Sequence, residues 1–283
     1  MKSRDGAWYD GMYNNRVLVP DHAAYLQRWA IESERARGEG PCELDIRYGA
    51  APGETLDVFP ALQDDGPVLV FVHGGYWRAL DKSDHSFVAP AFTRHGACVV
   101  VPNYDLCPAV TIPDITLQVA RAVAWTWKNI ARFGGDPRRI VVAGHSAGGQ
   151  LAAMMAACLW PQLDAGLPRD VVHGALAISG LHDLDPIRRT PFLQGALQLT
   201  PAQVAQASPA RLPAPRHGTV YAVTGGDESA EYHRQTRLLQ EAWGMRRVPV
   251  AEILPGLHHF SVLDAMVEPS HRLHQLALDL LRD

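Results

Sequence analysis

The chain has 283 residues, of which 47% are hydrophobic and 20% charged, enough apolar material for a sizeable globular core. The 26 basic and 30 acidic residues give a formal net charge of −4, so no basic field is present to hold nucleic acid. The longest apolar runs, residues 68–72 and 151–160, are shorter than the ~20 residues that cross a bilayer. We therefore expect neither a nucleic acid nor a membrane as a partner.

The amino terminus and the cysteines indicate a cytoplasmic location. Residues 1–6 lack the apolar stretch of a secretory signal. The four cysteines form no C-x-x-C pair, and Cys98 and Cys158 lie in apolar runs where a free thiol packs as a small hydrophobe. Both features favour a reducing compartment. The thirteen histidines include no pair at metal-ligand spacing, so we expect no metal and no other cofactor.

Short β-branched runs alternate with helical patterns along most of the chain. Residues 1–40 form an accessory segment with a helix at about 21–37. Apolar or alternating runs predict eight strands, at residues 43–48, 55–59, 68–72, 97–101, 139–143, 175–178, 220–223 and 249–254. Amphipathic spacing predicts later helices at residues 114–130, with Asp114 as the cap, and at 146–159, 229–243 and 270–281. This order predicts a single α/β domain over residues 1–283, with a mostly parallel sheet covered by helices on both faces.

One interval interrupts the alternation. Residues 182–216 are rich in proline and contain a capping-box sequence that starts at Thr200, which predicts two or three short helices and no strand. We expect this insertion to form a small helical cap over the carboxyl end of the sheet, where open α/β folds bind ligands. The insertion and the amino-terminal segment are both candidates for the walls of a binding pocket. The alternative, for each of them, is that it only covers the surface of the hydrophobic core.

The most informative sequence is the G-x-S-x-G pattern at residues 144–148. A predicted buried strand precedes it and a helical pattern follows it, which is the context of a nucleophile elbow. The glycines, Gly144 and Gly148, allow strand and helix to approach closely, and Ser146 occupies the strained turn between them. The amide of Ala147 is unpaired at the start of the helix, where the dipole favours negative charge. Ser146 is therefore the candidate nucleophile.

A second glycine-rich sequence, His-Gly-Gly-Tyr-Trp at residues 73–77, follows the third predicted strand. In this architecture, that loop supplies half of an oxyanion hole. We expect the amides of Gly75, Tyr76 and Ala147 to be the donors, with Gly74 permitting the turn. Each donor aimed at a developing oxyanion contributes about 3–4 kcal/mol to lowering the barrier.

A nucleophilic serine needs a base and a carboxylate that orients it. Asp227 follows the seventh predicted strand and is the expected carboxylate, with Asp183 as its competitor and a capping role as the alternative. The base follows the last strand and is either His258 or His259, because adjacent side chains point in different directions and spacing does not separate them. The order Ser, acid, His is the one that this architecture uses.

Together these motifs resemble the α/β-hydrolase superfamily, and within it the arylformamidase (kynurenine formamidase) group of serine hydrolases. The resemblance extends over nearly the whole chain. Its motifs are residues 73–77 and 144–149, the pair His259-Phe260, and residues 13–16, 19–21 and 34–37. The family's His-Phe pattern implies that His259 is the base. The sequence departs from the family at His258, where an acidic residue is common.

The resemblance implies that Ser146 attacks the carbonyl of an aromatic N-formyl amide such as N-formyl-L-kynurenine, with His259 as base and Asp227 orienting it. A formyl group needs a tight acyl pocket, which Tyr76 and Trp77 can supply. Trp77, Tyr104, Phe192 and Leu193 are the candidate pocket residues, with core packing as the alternative. The competing functions are a carboxylesterase for short acyl esters and a non-catalytic binding protein. The expected partner is a small-molecule substrate, and the sequence is compatible with a homo-oligomer.

Overall fold

A computed structural model describes residues 5–282 of the chain. Residues 1–4, on which part of the secretory-signal prediction depends, lie outside the described residues, as does residue 283. Eight strands form one sheet: β1 (Glu43–Arg47), β2 (Thr55–Phe59), β3 (Gly66–Val72), β4 (Cys98–Pro102), β5 (Gly135–His145), β6 (Val172–Ile178), β7 (Thr219–Gly225) and β8 (Val250–Leu254). All eight predicted strands are present, and each strand end lies within four residues of its predicted position.

The sheet has the strand order β1-β2-β4-β3-β5-β6-β7-β8. The pairs β1/β2 and β2/β4 are antiparallel, and every later pair is parallel. In β3, Val68 and Val70 pack into the core on one face of the sheet, while Leu69 and Phe71 pack into the core on the other. A strand covered on both faces has no polar side, which is why these runs are continuously apolar. The predicted α/β-hydrolase fold class, with a mostly parallel sheet, is confirmed.

Thirteen α-helices occur within residues 5–282. They are α1 (Gly6–Tyr13), α2 (Asn15–Leu18), α3 (His22–Glu39), α4 (Ala89–Thr93), α5 (Ile112–Asn129), α6 (Ala147–Ala156), α7 (Trp160–Leu163), α8 (Asp185–Arg188), α9 (Pro191–Leu197), α10 (Pro201–Ala207), α11 (Ala230–Trp243), α12 (Ser261–Val267) and α13 (Arg272–Arg282). The long helix α5 begins earlier than predicted. Its N-cap is Thr111, and Asp114 is the N3 residue of the same capping box.

The short helices α8, α9 and α10 occupy the interval between β6 and β7, and α9 packs against α1. The amino-terminal segment and the insertion therefore meet above the carboxyl edge of the sheet. No helix in residues 5–282 combines the length and the apolar character that crossing a membrane requires.

Candidate active site

Ser146 occupies the turn between β5 and α6. Its backbone has φ 59° and ψ −116°, a conformation that costs a non-glycine residue about 1–3 kcal/mol. A Cβ on Gly144 would lie 2.1 Å from the oxygen of Gly148, and one on Gly148 would lie 2.0 Å from the oxygen of Val72. Only glycine fits at either position, so the predicted elbow is present. The Ser146 hydroxyl makes no hydrogen bond within residues 5–282 and lies at the wall of a cavity.

The carboxylate beside the candidate base belongs to Glu228, and the prediction of Asp227 is wrong in this geometry. Nδ1 of His259 lies 2.6 Å from Oε2 of Glu228. Asp227 is exposed, and its amide donates to the oxygen of Leu257 at 3.0 Å. The turn after β7 thus directs Glu228 inward and Asp227 to solvent. Nothing in the sequence separates two adjacent acidic residues, because which one faces inward depends on the register of the turn.

Four donors hold the Glu228 carboxylate. Besides His259, they are the hydroxyl of Ser179 at 2.5 Å, the hydroxyl of Thr224 at 2.9 Å and the amide of Gly225 at 2.8 Å. Burial by itself would raise the pKa of Glu228. The charge of His259 and the hydrogen bonds from His259, Ser179 and Gly225 outweigh burial and hold the pKa below its usual value. The carboxylate is therefore ionised and fixed in orientation.

The other candidates face elsewhere. The Nε2 of His258 lies 3.2 Å from the hydroxyl of Tyr25, and its Nδ1 accepts the amides of Phe260 and Ser261, both at 3.2 Å. Asp183 forms an ion pair with Arg211 at 2.8 Å. Of the two adjacent histidines, only His259 lines the cavity together with Ser146.

The loop after β3 lies against the elbow because β3 and β5 are parallel neighbours. A Cβ on Gly74 would lie 3.2 Å from the Cβ of Ser146, and Gly75 has φ +102°. Tyr76 also has positive φ, at 52°. The amides of Gly75, Tyr76 and Ala147 make no hydrogen bond within residues 5–282. The three predicted oxyanion donors are thus unpaired in the described part of the chain.

The cavity at Ser146 has a volume of about 360 Å³. Ser146, His145 and His259 line it on the sheet side, and Gly75, Tyr76 and Phe260 lie beside them. The amino-terminal segment supplies six further lining residues, Asn14, Asn15, Arg16, Val17, Leu26 and Trp29. The insertion contributes Phe192 alone. The amino-terminal segment, more than the insertion, therefore encloses the site.

One of the four predicted pocket residues, Phe192, lines the cavity; the other three are core residues. Trp77 is fully buried and donates from its indole N–H to Gln150 at 3.1 Å. Tyr104 stacks on His73 at 4.2 Å between ring centroids, and Leu193 has no exposed surface. These three side chains pack in the core below the loop and below α9, as the alternative stated in the sequence analysis predicts.

A group of hydroxyls that sequence reasoning missed connects the amino-terminal segment to the loop. The Tyr76 hydroxyl donates to the backbone oxygen of Tyr13 at 2.5 Å and lies 2.7 Å from the Tyr232 hydroxyl. The Tyr232 hydroxyl accepts from the side-chain Nδ2 of Asn15 at 2.7 Å, and the Tyr232 ring centroid is 4.8 Å from that of His259. Burial raises the pKa of Tyr76 well above its ordinary value, so its hydroxyl stays a donor. Asn15 lies in the sequence 13–16 that carries the family resemblance, which is the one signal that pointed to this contact.

His145, inside the elbow motif, packs its ring 4.6 Å from that of His259. Burial, followed by the proximity of His259, holds the pKa of His145 well below its usual value. His145 is therefore neutral and supports one face of the His259 ring.

The fold and this elbow define the class of the protein: the chain belongs to the α/β-hydrolase fold family, whose sequence model matches residues 69–224. It is similar over most of its length to a kynurenine formamidase of Salmo salar, with 31% identity over 276 residues that cover 93% of this chain and 89% of the relative. A kynurenine formamidase of Danio rerio is 29% identical over 266 residues, which cover 91% and 88%. The protein is a hydrolase.

Solved structures agree with this assignment. A thioesterase candidate from Silicibacter sp. is 32% identical, with a TM-score of 0.82 and coverage of 93% of this chain and 96% of that one. An esterase from Pyrobaculum calidifontis is 20% identical, with a TM-score of 0.71 and coverage of 94% and 93%. The second likeness supports the fold alone.

Proposed function

We propose that the protein is a serine hydrolase that cleaves an aromatic N-formyl amide, such as N-formyl-L-kynurenine, to formate and the free arylamine. The observation that carries the chemistry is the 2.6 Å contact between His259 and Glu228 beside a cavity that Ser146 also lines. The whole-chain similarity to two kynurenine formamidases supports the substrate.

The roles follow from the hydrogen bonds of the imidazole. Nδ1 of His259 donates to Glu228, so Nε2 is left as the acceptor. Ser146 has an unengaged hydroxyl, and its Oγ attacks the formyl carbon while the proton passes to Nε2. Glu228 stabilises the imidazolium that forms.

The carbonyl oxygen becomes an oxyanion in this step. The amides of Gly75, Tyr76 and Ala147 are unpaired before substrate binds, so they are available to stabilise it. His259 then gives its proton to the aryl nitrogen as the C–N bond breaks, which leaves a formyl ester on Ser146. Water, activated by His259, hydrolyses this ester to formate and restores the serine.

The shape of the cavity supports a small acyl group and an aromatic leaving group. Tyr76 lines the cavity together with Ser146, and we assign its side chain to limiting the space for the acyl group. Phe192 and Phe260 supply aromatic surface to the remaining wall, and Trp29, which is almost fully buried, lies beside them. An aryl ring can stack on such surface, which favours an arylamine over an aliphatic amine.

A short-chain carboxylesterase is the second candidate function. Carboxylesterase NlhH of Mycobacterium tuberculosis is 40% identical over 98 residues, although these cover only 34% of this chain and 31% of the relative. The same three residues would hydrolyse an ester, and ester cleavage is chemically easier. Detection of esterase activity therefore does not distinguish the two functions, whereas relative kcat/KM does.

The test is hydrolysis of N-formyl-L-kynurenine and of nitrophenyl esters of increasing acyl length by the purified protein. We expect the highest kcat/KM on the formamide, a decline with acyl length among the esters, and a loss of at least about 10⁴-fold in Ser146→Ala. Formate release and arylamine absorbance are the readouts. Higher kcat/KM on a short ester, with slow formamide cleavage, would establish the esterase instead. Activity retained in Ser146→Ala would remove this serine as the nucleophile.

A further inference from the structure

The charge of the cavity wall is opposite to that of the whole chain. The formal net charge is −4, yet Arg16 and Arg78 line the cavity and no aspartate or glutamate of residues 5–282 does. Arg16 is exposed at the rim, whereas Arg78 is half-buried. A wall with cations and no carboxylates attracts an anionic ligand and repels a cationic one.

Arg78 is held in place and is not neutralised. One guanidinium N–H donates to the backbone oxygen of Phe192 at 3.2 Å, and the guanidinium lies 5.5 Å from the centroid of the Phe192 ring. Phe192 in turn packs edge-on against Tyr76, with ring centroids 5.9 Å apart. No carboxylate within residues 5–282 forms an ion pair with Arg78.

This arrangement leaves a preorganised donor without an anion. A guanidinium has five N–H donors, and its planar fork matches the two oxygens of a carboxylate. The contact with Phe192 uses one of the five. Partial burial of a charge without a counter-ion costs free energy, and pairing of that charge with a carboxylate offsets the cost.

We propose that Arg78 is a specificity-determining residue that binds a carboxylate on the leaving-group part of the substrate. The inference rests on the proposed function in one respect. A formyl group cannot carry a carboxylate substituent, so the carboxylate must belong to the arylamine part of the substrate. The preferred substrate class is then an N-formyl arylamine whose ring carries a side chain that ends in a carboxylate. Neutral aryl formamides and neutral short esters lack this contact.

The experiment separates binding from turnover. In the Ser146→Ala protein, dissociation constants are measured by calorimetry for N-formyl-L-kynurenine and for its carboxamide, in which the carboxylate is replaced by a neutral amide. We expect the acid to bind about 10- to 100-fold more tightly than the carboxamide. In the double variant Ser146→Ala/Arg78→Met, we expect this preference for the acid to be mostly lost. In Ser146→Ala/Arg78→Lys, which keeps the positive charge but not the planar pair of donors, we expect part of the preference to remain.

Arg237→Met is the matched control. Arg237 is an exposed residue of α11 outside the cavity wall, so its loss changes the net charge equally and leaves the ratio unchanged. Because each variant is judged by the ratio of two ligands, a general loss of stability does not imitate the result.

The outcomes distinguish this inference from the proposed function. Tighter binding of the acid that depends on Arg78, with no hydrolysis by the unmodified protein, would support the carboxylate site and refute the formamidase. Rapid hydrolysis with equal affinities for acid and carboxamide would do the reverse. Absence of binding by both ligands, or an equal loss of the ratio in Arg237→Met, would also overturn the role of Arg78.

Discussion

The Glu228 carboxylate is buried and accepts hydrogen bonds from four donors. Replacing it tests whether its negative charge is needed for catalysis. Glu228→Gln keeps the size of the side chain but removes the charge that orients Nδ1–H of His259 and stabilises the imidazolium. We expect kcat to fall by about 10²- to 10⁴-fold with little change in KM. Steady-state kinetics on N-formyl-L-kynurenine measures the effect.

Asp227→Asn is the matched control for this variant. It removes the neighbouring charge from an exposed side chain, and we expect kcat/KM close to that of the unmodified protein. If Asp227→Asn lost activity and Glu228→Gln kept it, the carboxylate assignment based on the 2.6 Å contact would fail.

At the residue scale, the sequence predicts what local backbone geometry dictates. Ser146 and the glycines around it could be identified because a strand, a tight turn and a helix must join there without a Cβ in the way. The choice of Glu228 over Asp227 depends on a turn whose register is set by contacts with Ser179 and Thr224. Thr224 lies near the end of β7 itself, but Ser179 follows the neighbouring strand β6, and the local sequence does not encode that contact between strands.

The helices α1 and α2 depend on tertiary hydrogen bonds for their position over the site. Tyr76→Phe keeps the ring but removes the hydroxyl, which donates to the backbone oxygen of Tyr13 and is hydrogen-bonded to the Tyr232 hydroxyl. We expect a loss of about 1–3 kcal/mol in the free energy of unfolding, since the Tyr13 oxygen loses a buried donor. Hydrogen exchange in residues 10–20 becomes faster, and KM for the formamide rises as the cavity wall loosens. Mass spectrometry of peptic peptides and steady-state kinetics measure these changes.

Tyr48→Phe provides the comparison for this second prediction. Tyr48 also donates its hydroxyl to a backbone oxygen, that of Asn103 at 2.6 Å, but it lies outside the cavity wall. It should lower stability similarly without faster exchange in residues 10–20. Equal exchange rates in the two variants would contradict a specific link between Tyr76 and the amino-terminal segment.

At the element scale, periodicity predicts the strands and the longer helices, and it fails where packing decides. The helix α12 is short and begins two residues after His259, the proposed base, so its apolar residues give no separate helical pattern. The sequence predicts α3 but neither α1 nor α2, whose residues Tyr13 and Asn15 are hydrogen-bonded to Tyr76 and Tyr232, two residues far away in the sequence.

For the whole molecule, buried histidines predict acid sensitivity. Burial lowers the pKa of His73 to about 4, that of His85 to about 4, and that of His182 to about 3. An unfolded histidine titrates near 6.5, so below that pH the unfolded chain binds more protons than the folded one. The stability contribution is complete above pH 6.5 and declines as the pH falls toward 4, by about 1.4 kcal/mol per pH unit for each histidine.

Urea unfolding at several pH values between 7.5 and 5 measures this slope. Neither ring nitrogen of His182 has a partner within residues 5–282, so His182→Gln should reduce the slope by about one proton. His173→Gln, at an exposed histidine, should leave the slope unchanged. An identical slope in His182→Gln and the unmodified protein would exclude His182 as a source of the acid sensitivity.

The cavity wall joins residues 14–29 to His259 and Phe260, two parts of the chain separated by more than two hundred positions. Turnover at the proposed site thus requires both parts to have folded onto the finished sheet. During synthesis, a ribosome-bound chain can form most of its strands and still be inert until the last of these residues has emerged. Limited proteolysis between residues 14 and 29 should likewise abolish turnover while most of the circular dichroism signal persists, so activity reports the folding of nearly the entire polypeptide.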